Sequence, residues 1–175
     1  MASGERVVSM KRLKREYGKL SQGPPAGVSI SLPSDTDLYV WEALLSGPVD
    51  SVYKGGLFKV RVCVPVYSFL TQSLRENYPV KPPEVHFVAP FPYHLNVSQK
   101  SGQVCLGLLG DDKWEPSYMG MEHVFQALVA ILIRPEPSSA MDHELLNNYH
   151  NLSSIYAMKA KCSAKVAAEH FKKLI

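Results

Sequence analysis

Hydrophobic and polar positions along this chain change period several times, and each change predicts an element. Between Ser9 and Leu20, the residues Met10, Leu13, Tyr17 and Leu20 recur at spacings of three and four, with Lys and Arg on the other faces. That is the period of an amphipathic helix, and Gln22-Gly23-Pro24-Pro25 stops it. Residues 1–8 lie before the pattern and read as a short flexible tail. Strand patterns follow at Val28–Leu32, Leu38–Leu45 and Gly56–Val64, separated by turn-forming stretches, and a fourth at Val85–Val88 follows Pro82-Pro83. The helical period returns over Glu122–Arg134, with Val124, Phe125, Leu128, Ile131 and Leu132 on one broad face and Pro135 as the stop. From Met141 to Ile175 the pattern predicts one short and one long helix. On the long one, Ile155, Met158, Cys162 and Val166 mark one stripe, and Ala160, Ala164, Ala167, Phe171 and Leu174 a neighbouring one. A helix, an antiparallel meander and further helices make an α+β fold, a single domain over residues 9–175.

Two stretches keep no clear period. Val66 to Asn77 is mixed in character and reads as a short helix or a loop. Ala89 to Pro116 combines Gly, Pro, polar residues and one cysteine. An irregular segment of that length in a small domain is usually functional.

Composition narrows the classes. The chain has 175 residues, enough for one buried core, and 19 Lys+Arg against 16 Asp+Glu give a net charge of only +3. A protein that lives on nucleic acid concentrates more positive charge than that, so no nucleic-acid partner is expected. The apolar run Leu128–Ile133 is far short of a membrane span, and no membrane partner is expected either. The N-terminus lacks the apolar core of a secretory signal. Three scattered cysteines, Cys63, Cys105 and Cys162, make neither a disulfide framework nor a zinc site. The expectation is a cytoplasmic or nuclear protein with reduced thiols, using no metal and no cofactor.

Cys105 is the residue to explain. It lies in the irregular stretch, between Ser101-Gly102-Gln103-Val104 and Leu106-Gly107-Leu108-Leu109. An exposed thiol there would be a nucleophile; a buried one would pack as a small apolar residue. Composition leaves that choice open, while for Cys63 on a strand and Cys162 on a helix stripe the packing role is the better reading. His94 and Asn96 stand 11 and 9 residues upstream. Thiol proteases place such partners far apart, so the clustering does not support that class. An Asn amide near a nucleophilic Cys can instead donate to an oxyanion, and His94 reads as a structural residue of the loop.

Tyr93-His94-Leu95-Asn96, then Gly102-Gln103-Val104-Cys105-Leu106, then Trp114-Glu115-Pro116 together resemble the active-site region of ubiquitin-conjugating enzymes. That family carries His-Pro-Asn, a Cys-Leu pair and Trp-x-Pro in this order. Trp41, Gly47-Pro48, Tyr53-Lys54-Gly55-Gly56 and Phe58 are similar to its meander signature, and Tyr78-Pro79-Val80-Lys81-Pro82-Pro83 to its Tyr-Pro-x-x-Pro-Pro turn. The resemblance implies an N-terminal helix, a four-stranded antiparallel meander and C-terminal helices. It also implies an acyl transferase in which Cys105 accepts ubiquitin from an activating enzyme as a thioester. The acyl group then passes to a substrate lysine or to a ligase. Asn96 would stabilise the oxyanion or hold the surrounding loop.

Around the site the sequence departs from the family at three places. Leu95 replaces the middle Pro, so the loop loses a fixed φ. Gly107 stands where many members have Asp, and Ser139 aligns with their acidic residue beyond the helix. Glu136 and Ser139 become candidate gate residues, with Asp142, Asp111 and Asp112 as other candidates for the missing charge.

Partner surfaces follow from the same resemblance. Lys11, Arg12 and Arg15 match the basic face shown to the activating enzyme, and a charge-reversed Lys11/Arg12 pair is expected to slow loading without unfolding. Ligases would dock around Val64, Pro65, Pro116 and Ser117. The Val66–Asn77 insertion between them is expected to alter ligase choice, or else to be a tolerated surface insertion. Ser29 matches the family's surface for a second ubiquitin. The alternatives are a conjugating enzyme for a ubiquitin-like modifier and a non-catalytic ubiquitin-binding variant of the fold.

Overall fold

The computed structural model describes residues 2–64, 78–110 and 112–174. The first helix, α1, spans Ala2–Leu20. The strands are β1 (Val28–Ser31), β2 (Val40–Ser46), β3 (Leu57–Cys63) and β4 (Glu84–Phe87). Then come α2 (Met121–Ile133), α3 (His143–Asn151) and α4 (Ser153–Phe171). The strands form one sheet in the order β1-β2-β3-β4, every neighbour antiparallel. This is the predicted α+β arrangement.

Strand alternation decides where the core lies. Trp41 pairs with Val62, Leu45 with Phe58 and Val62 with Val85, so one face of the sheet carries a continuous set of buried apolar side chains. Leu13 and Leu20 of α1, Val124, Phe125, Leu128 and Leu132 of α2, and Phe171 of α4 join the same core. The opposite face is polar. There Glu42 bonds Lys59 at 2.7 Å and Arg61 at 2.8 Å. Burial alone would raise the Glu42 pKa, but those two cations outweigh it and hold the carboxyl below its ordinary range. Ser29 is exposed on that polar side.

Two readings are corrected here. The first helix starts at Ala2, not Ser9, so residues 2–8 are helical backbone. Apolar periodicity marks only the turns that touch the core, and a proline-free segment can extend a helix beyond them. The second concerns Cys162, and the two stripes of α4 decide it. Tyr156, Ala160, Ala164, Ala167 and Phe171 are buried, whereas Ile155, Met158, Cys162 and Val166 are exposed. Small residues let α4 lie close over the sheet, where a Cβ at Gly56 would come within 3.0 Å of the Ala164 methyl. The bulkier stripe does not fit there. Cys162 is therefore an exposed thiol, not a packed one. Pro65, the Val66–Asn77 insertion and Asp111 lie outside the described residues.

Candidate active site

The irregular stretch has local order that longer-range periodicity hides. Val97 pairs with Val104, the Cys105 amide donates to the Asn96 carbonyl at 2.9 Å, and the Ser98 amide to the Gln103 carbonyl at 2.9 Å. The turn between these limbs closes at Gly102, whose φ is +73° and whose Cβ would lie 2.2 Å from the Phe87 carbonyl oxygen. Only glycine fits there. The second limb joins the β4 edge, since the Phe87 amide donates to Gly102 O at 2.7 Å and the Val104 amide to Val85 O at 2.9 Å. Along this extended limb Gly102, Val104 and Leu106 point inward and are buried, while Gln103 and Cys105 are exposed. Strand alternation thus presents the Cys105 thiol on a sheet-anchored backbone.

Asn96 is fully buried and tied at every polar atom. Its Nδ2 donates to the carbonyls of Glu136 (2.7 Å) and Ser139 (2.9 Å), and its Oδ1 accepts from the Glu136 amide at 2.9 Å. Both amide hydrogens are therefore committed to the Glu136–Ser139 turn. One residue holds that turn with its side chain and the Cys105 amide with its carbonyl.

His94 lies beneath, also fully buried. Its Nδ1 accepts from the Asn96 amide at 3.0 Å, and its Nε2 is 2.9 Å from the Ile131 carbonyl. Only the tautomer with hydrogen on Nε2 satisfies both partners. Burial pulls the His94 pKa down to about 4, so the ring is neutral near pH 7. Its surroundings offer backbone partners and no reacting group.

Glu136 is half-buried beside the thiol-bearing limb. Its Oε2 accepts from the Gly107 amide at 2.9 Å, and a Cβ on residue 107 would fall 2.9–3.0 Å from both carboxylate oxygens. The carboxylate occupies the space that a side chain at 107 would need. Ser139 is half-exposed and meets Asn96 through its carbonyl. Asp142 is committed elsewhere, capping α3 through the Glu144 and Leu145 amides. Asp112 is exposed. Among the described residues no three His, Cys, Asp or Glu side chains are grouped to hold a metal, and no helix is long and apolar enough to cross a membrane.

The partner-surface residues divide. Lys11 and Arg15 are exposed on α1. Arg12 is not a free surface charge: it pairs with Glu16 and donates to the carbonyls of Pro116 (3.4 Å) and Met119 (2.8 Å). Glu16 in turn accepts from the Tyr78 hydroxyl at 2.6 Å and the Met121 amide at 3.1 Å. This hub joins α1 to the Tyr78 turn and to the start of α2. Arg12→Glu is therefore expected to cost about 2 kcal/mol or more of stability, because carbonyls and a carboxylate lose their donor. Lys11→Glu and Arg15→Glu should stay within about 0.5 kcal/mol. Urea unfolding of the three variants checks this, and it replaces the expectation that the Lys11/Arg12 reversal leaves the fold untouched. Val64 is buried in the core, so its side chain is not a docking surface. Ser117 is exposed, Pro116 half-buried, and Tyr118 beside them is 62% exposed.

Comparison with known proteins bears on the family of the chain. The family described as "Ubiquitin-conjugating enzyme" matches residues 12–164. Protein PEROXIN-4 of Arabidopsis thaliana is 33% identical over 135 residues, covering 77% of this chain and 78% of the relative. Ubiquitin-conjugating enzyme E2 2 of Candida albicans is 32% identical over 151 residues, 86% of this chain and 76% of the relative. Ubiquitin-conjugating enzyme E2 S of Drosophila ananassae is 28% identical over 172 residues, 92% and 75% respectively.

Proposed function

Because the chain belongs to the ubiquitin-conjugating enzyme family, we propose that it accepts ubiquitin from an activating enzyme as a thioester on Cys105 and passes it to a substrate lysine or a ligase thiol. One observation carries this reading: the Cys105 thiol is exposed at the end of a limb whose backbone hangs from the buried Asn96. In loading, the thiolate attacks the activated ubiquitin carboxyl and the activating enzyme's thiolate leaves. In discharge, an amine attacks the thioester carbonyl, the N–C bond forms, and the Cys105 thiolate departs. The amine loses a proton on the way.

Glu136 is the acidic group we place beside that reaction. Its carboxylate fills the space over Gly107, two residues after the thiol. There it can hold the incoming ammonium and take its proton. Asn96 supports this arrangement from below; with both amide hydrogens given to Glu136 and Ser139, we assign it to the loop and not to the oxyanion. Lys11 and Arg15 remain the basic surface for the activating enzyme. Ser117 with Pro116 forms the ligase-facing rim. The setting proposed for these free thiols is the cytoplasm or nucleus.

The test is a loading reaction with activating enzyme, ATP and ubiquitin, followed by peptide mapping of the adduct. A reductant-sensitive adduct on Cys105 is the expected result. An adduct on the other exposed thiol, Cys162, would overturn the site. No adduct with ubiquitin but one with a ubiquitin-like modifier and its own activating enzyme would change the modifier, and none with any would leave a binding variant of the fold.

A further inference from the structure

Leu95 has an amide hydrogen that a proline at the same position would lack, and Leu95 is fully buried. An unpaired donor there would carry its whole desolvation cost. The partner comes from α4: the Leu95 amide donates to the Tyr156 hydroxyl at 3.2 Å. Tyr156 is itself buried, 4% exposed, and stands 3.2 Å from the Tyr53 hydroxyl, which donates to the Tyr93 carbonyl at 2.7 Å. Each phenol has one hydrogen. Since Tyr53 gives its hydrogen to Tyr93, Tyr156 must be the donor to Tyr53. A directed chain results, from the Leu95 amide through the Tyr156 and Tyr53 hydroxyls to the Tyr93 carbonyl, beginning and ending on the segment that holds Asn96. Burial, with the neighbouring phenols adding to it, raises the Tyr53 pKa well above its ordinary value, and burial raises that of Tyr156. Both therefore remain protonated donors.

The rest of the segment is held in the same manner. The Tyr93 amide donates to Ser163 Oγ at 2.9 Å, one α4 heptad beyond Tyr156, and the Asn96 amide to His94 Nδ1 at 3.0 Å. On the other side the Leu95 carbonyl accepts from the Met141 amide at 2.8 Å.

We propose that Tyr156 is a positioning residue of the active site: its hydroxyl, by accepting the Leu95 amide, fixes the Leu95–Asn96 turn from which Cys105 and the Glu136–Ser139 turn are hung. Its effect on the reaction rests on the function proposed above, while its effect on the turn does not. The proposed effect runs through the Leu95 amide, not through the Tyr53 hydroxyl or packing of the Tyr156 ring, and a background without that amide separates the three. A proline at 95 has no amide hydrogen and needs no acceptor.

The experiment is a double-mutant cycle of Tyr156→Phe and Leu95→Pro. It is read by single-turnover discharge of the thioester to free lysine, and by hydrogen exchange of the 93–105 peptide in the native chain and in Tyr156→Phe. Tyr156→Phe should slow discharge about tenfold at saturating lysine and speed exchange by a similar factor. In the Leu95→Pro background the same change should alter discharge less than about twofold. Equal slowing in both backgrounds would overturn the proposal, because the ring or Tyr53 would then be responsible. Unchanged exchange in Tyr156→Phe would overturn it too, and this arm decides even where Leu95→Pro does not fold. A native chain that forms no thioester would refute the proposed function instead, leaving exchange to judge the tyrosine.

Discussion

Asn96→Ala is expected to lower the unfolding free energy by about 3 kcal/mol and to slow discharge to lysine about tenfold. The substitution removes three hydrogen bonds at once and leaves the Glu136 amide and the carbonyls of Glu136 and Ser139 without their partner. Each such loss is worth about 1 kcal/mol or more. The Glu136–Ser139 turn would loosen, and with it the carboxylate over Gly107. A loss of about 3 kcal/mol lowers the melting temperature of a domain this size by roughly 6–12 °C. Differential scanning calorimetry and single-turnover discharge separate the two roles that the sequence left joined. An oxyanion donor would cost about 10²–10³ in rate with little change in melting temperature. A hundredfold slower discharge with an unmoved transition would return Asn96 to the oxyanion.

His94 makes the fold acid-sensitive in a defined window. Its pKa is about 4 in the folded chain and about 6.5 when unfolded, so between these values the unfolded chain binds the extra proton. Stability from this group is complete above about pH 6.5, declines as the pH falls toward 4, and falls no further below that. The difference amounts to about 3 kcal/mol. Protonation would also turn Nδ1 from acceptor to donor, against the Asn96 amide it now receives. Glu42, held low by Lys59 and Arg61, loses its contribution only at more acid pH, as its carboxyl protonates. Urea unfolding of the native chain and of His94→Gln at pH 7, 5.5 and 4 should show a gap that narrows with acid. A constant gap would refute a neutral buried imidazole.

The strands and helices were legible because burial and period coincide in them. Trp41, Val60 and Leu128 repeat at the spacing of the element that buries them. The last helix misled because two neighbouring stripes were both apolar, and size, not polarity, selected which one faces the sheet. The Cys105 limb was hidden for a different reason. Its alternation lasts only from Gly102 to Leu106, too short to stand out from the irregular residues around it. Motif order placed Cys105 and Asn96 in one region, but hydrogen bonds between distant segments have no sequence period. So Arg12 read as part of a basic partner surface, and Tyr156 carried no reading at all. For Tyr156 one signal was available. Leu95 adds a buried amide hydrogen where the resembling motif has none, and such a donor requires an acceptor from somewhere in the fold.

Gly107 and Glu136 are 29 residues apart in the chain yet share one volume, which constrains the routes by which this sequence can change. An aspartate acquired at 107 would set two carboxylates in the space of one, against the Glu136 oxygens. Shortening Glu136 first would pass through a chain with no carboxylate over that spot. The Glu136 side chain can swing aside for such a residue, but it would then move off the Gly107 amide, so a change at 107 also moves the carboxylate. A carboxylate borne by the far turn thus ties what happens at 107 to what stands at 136.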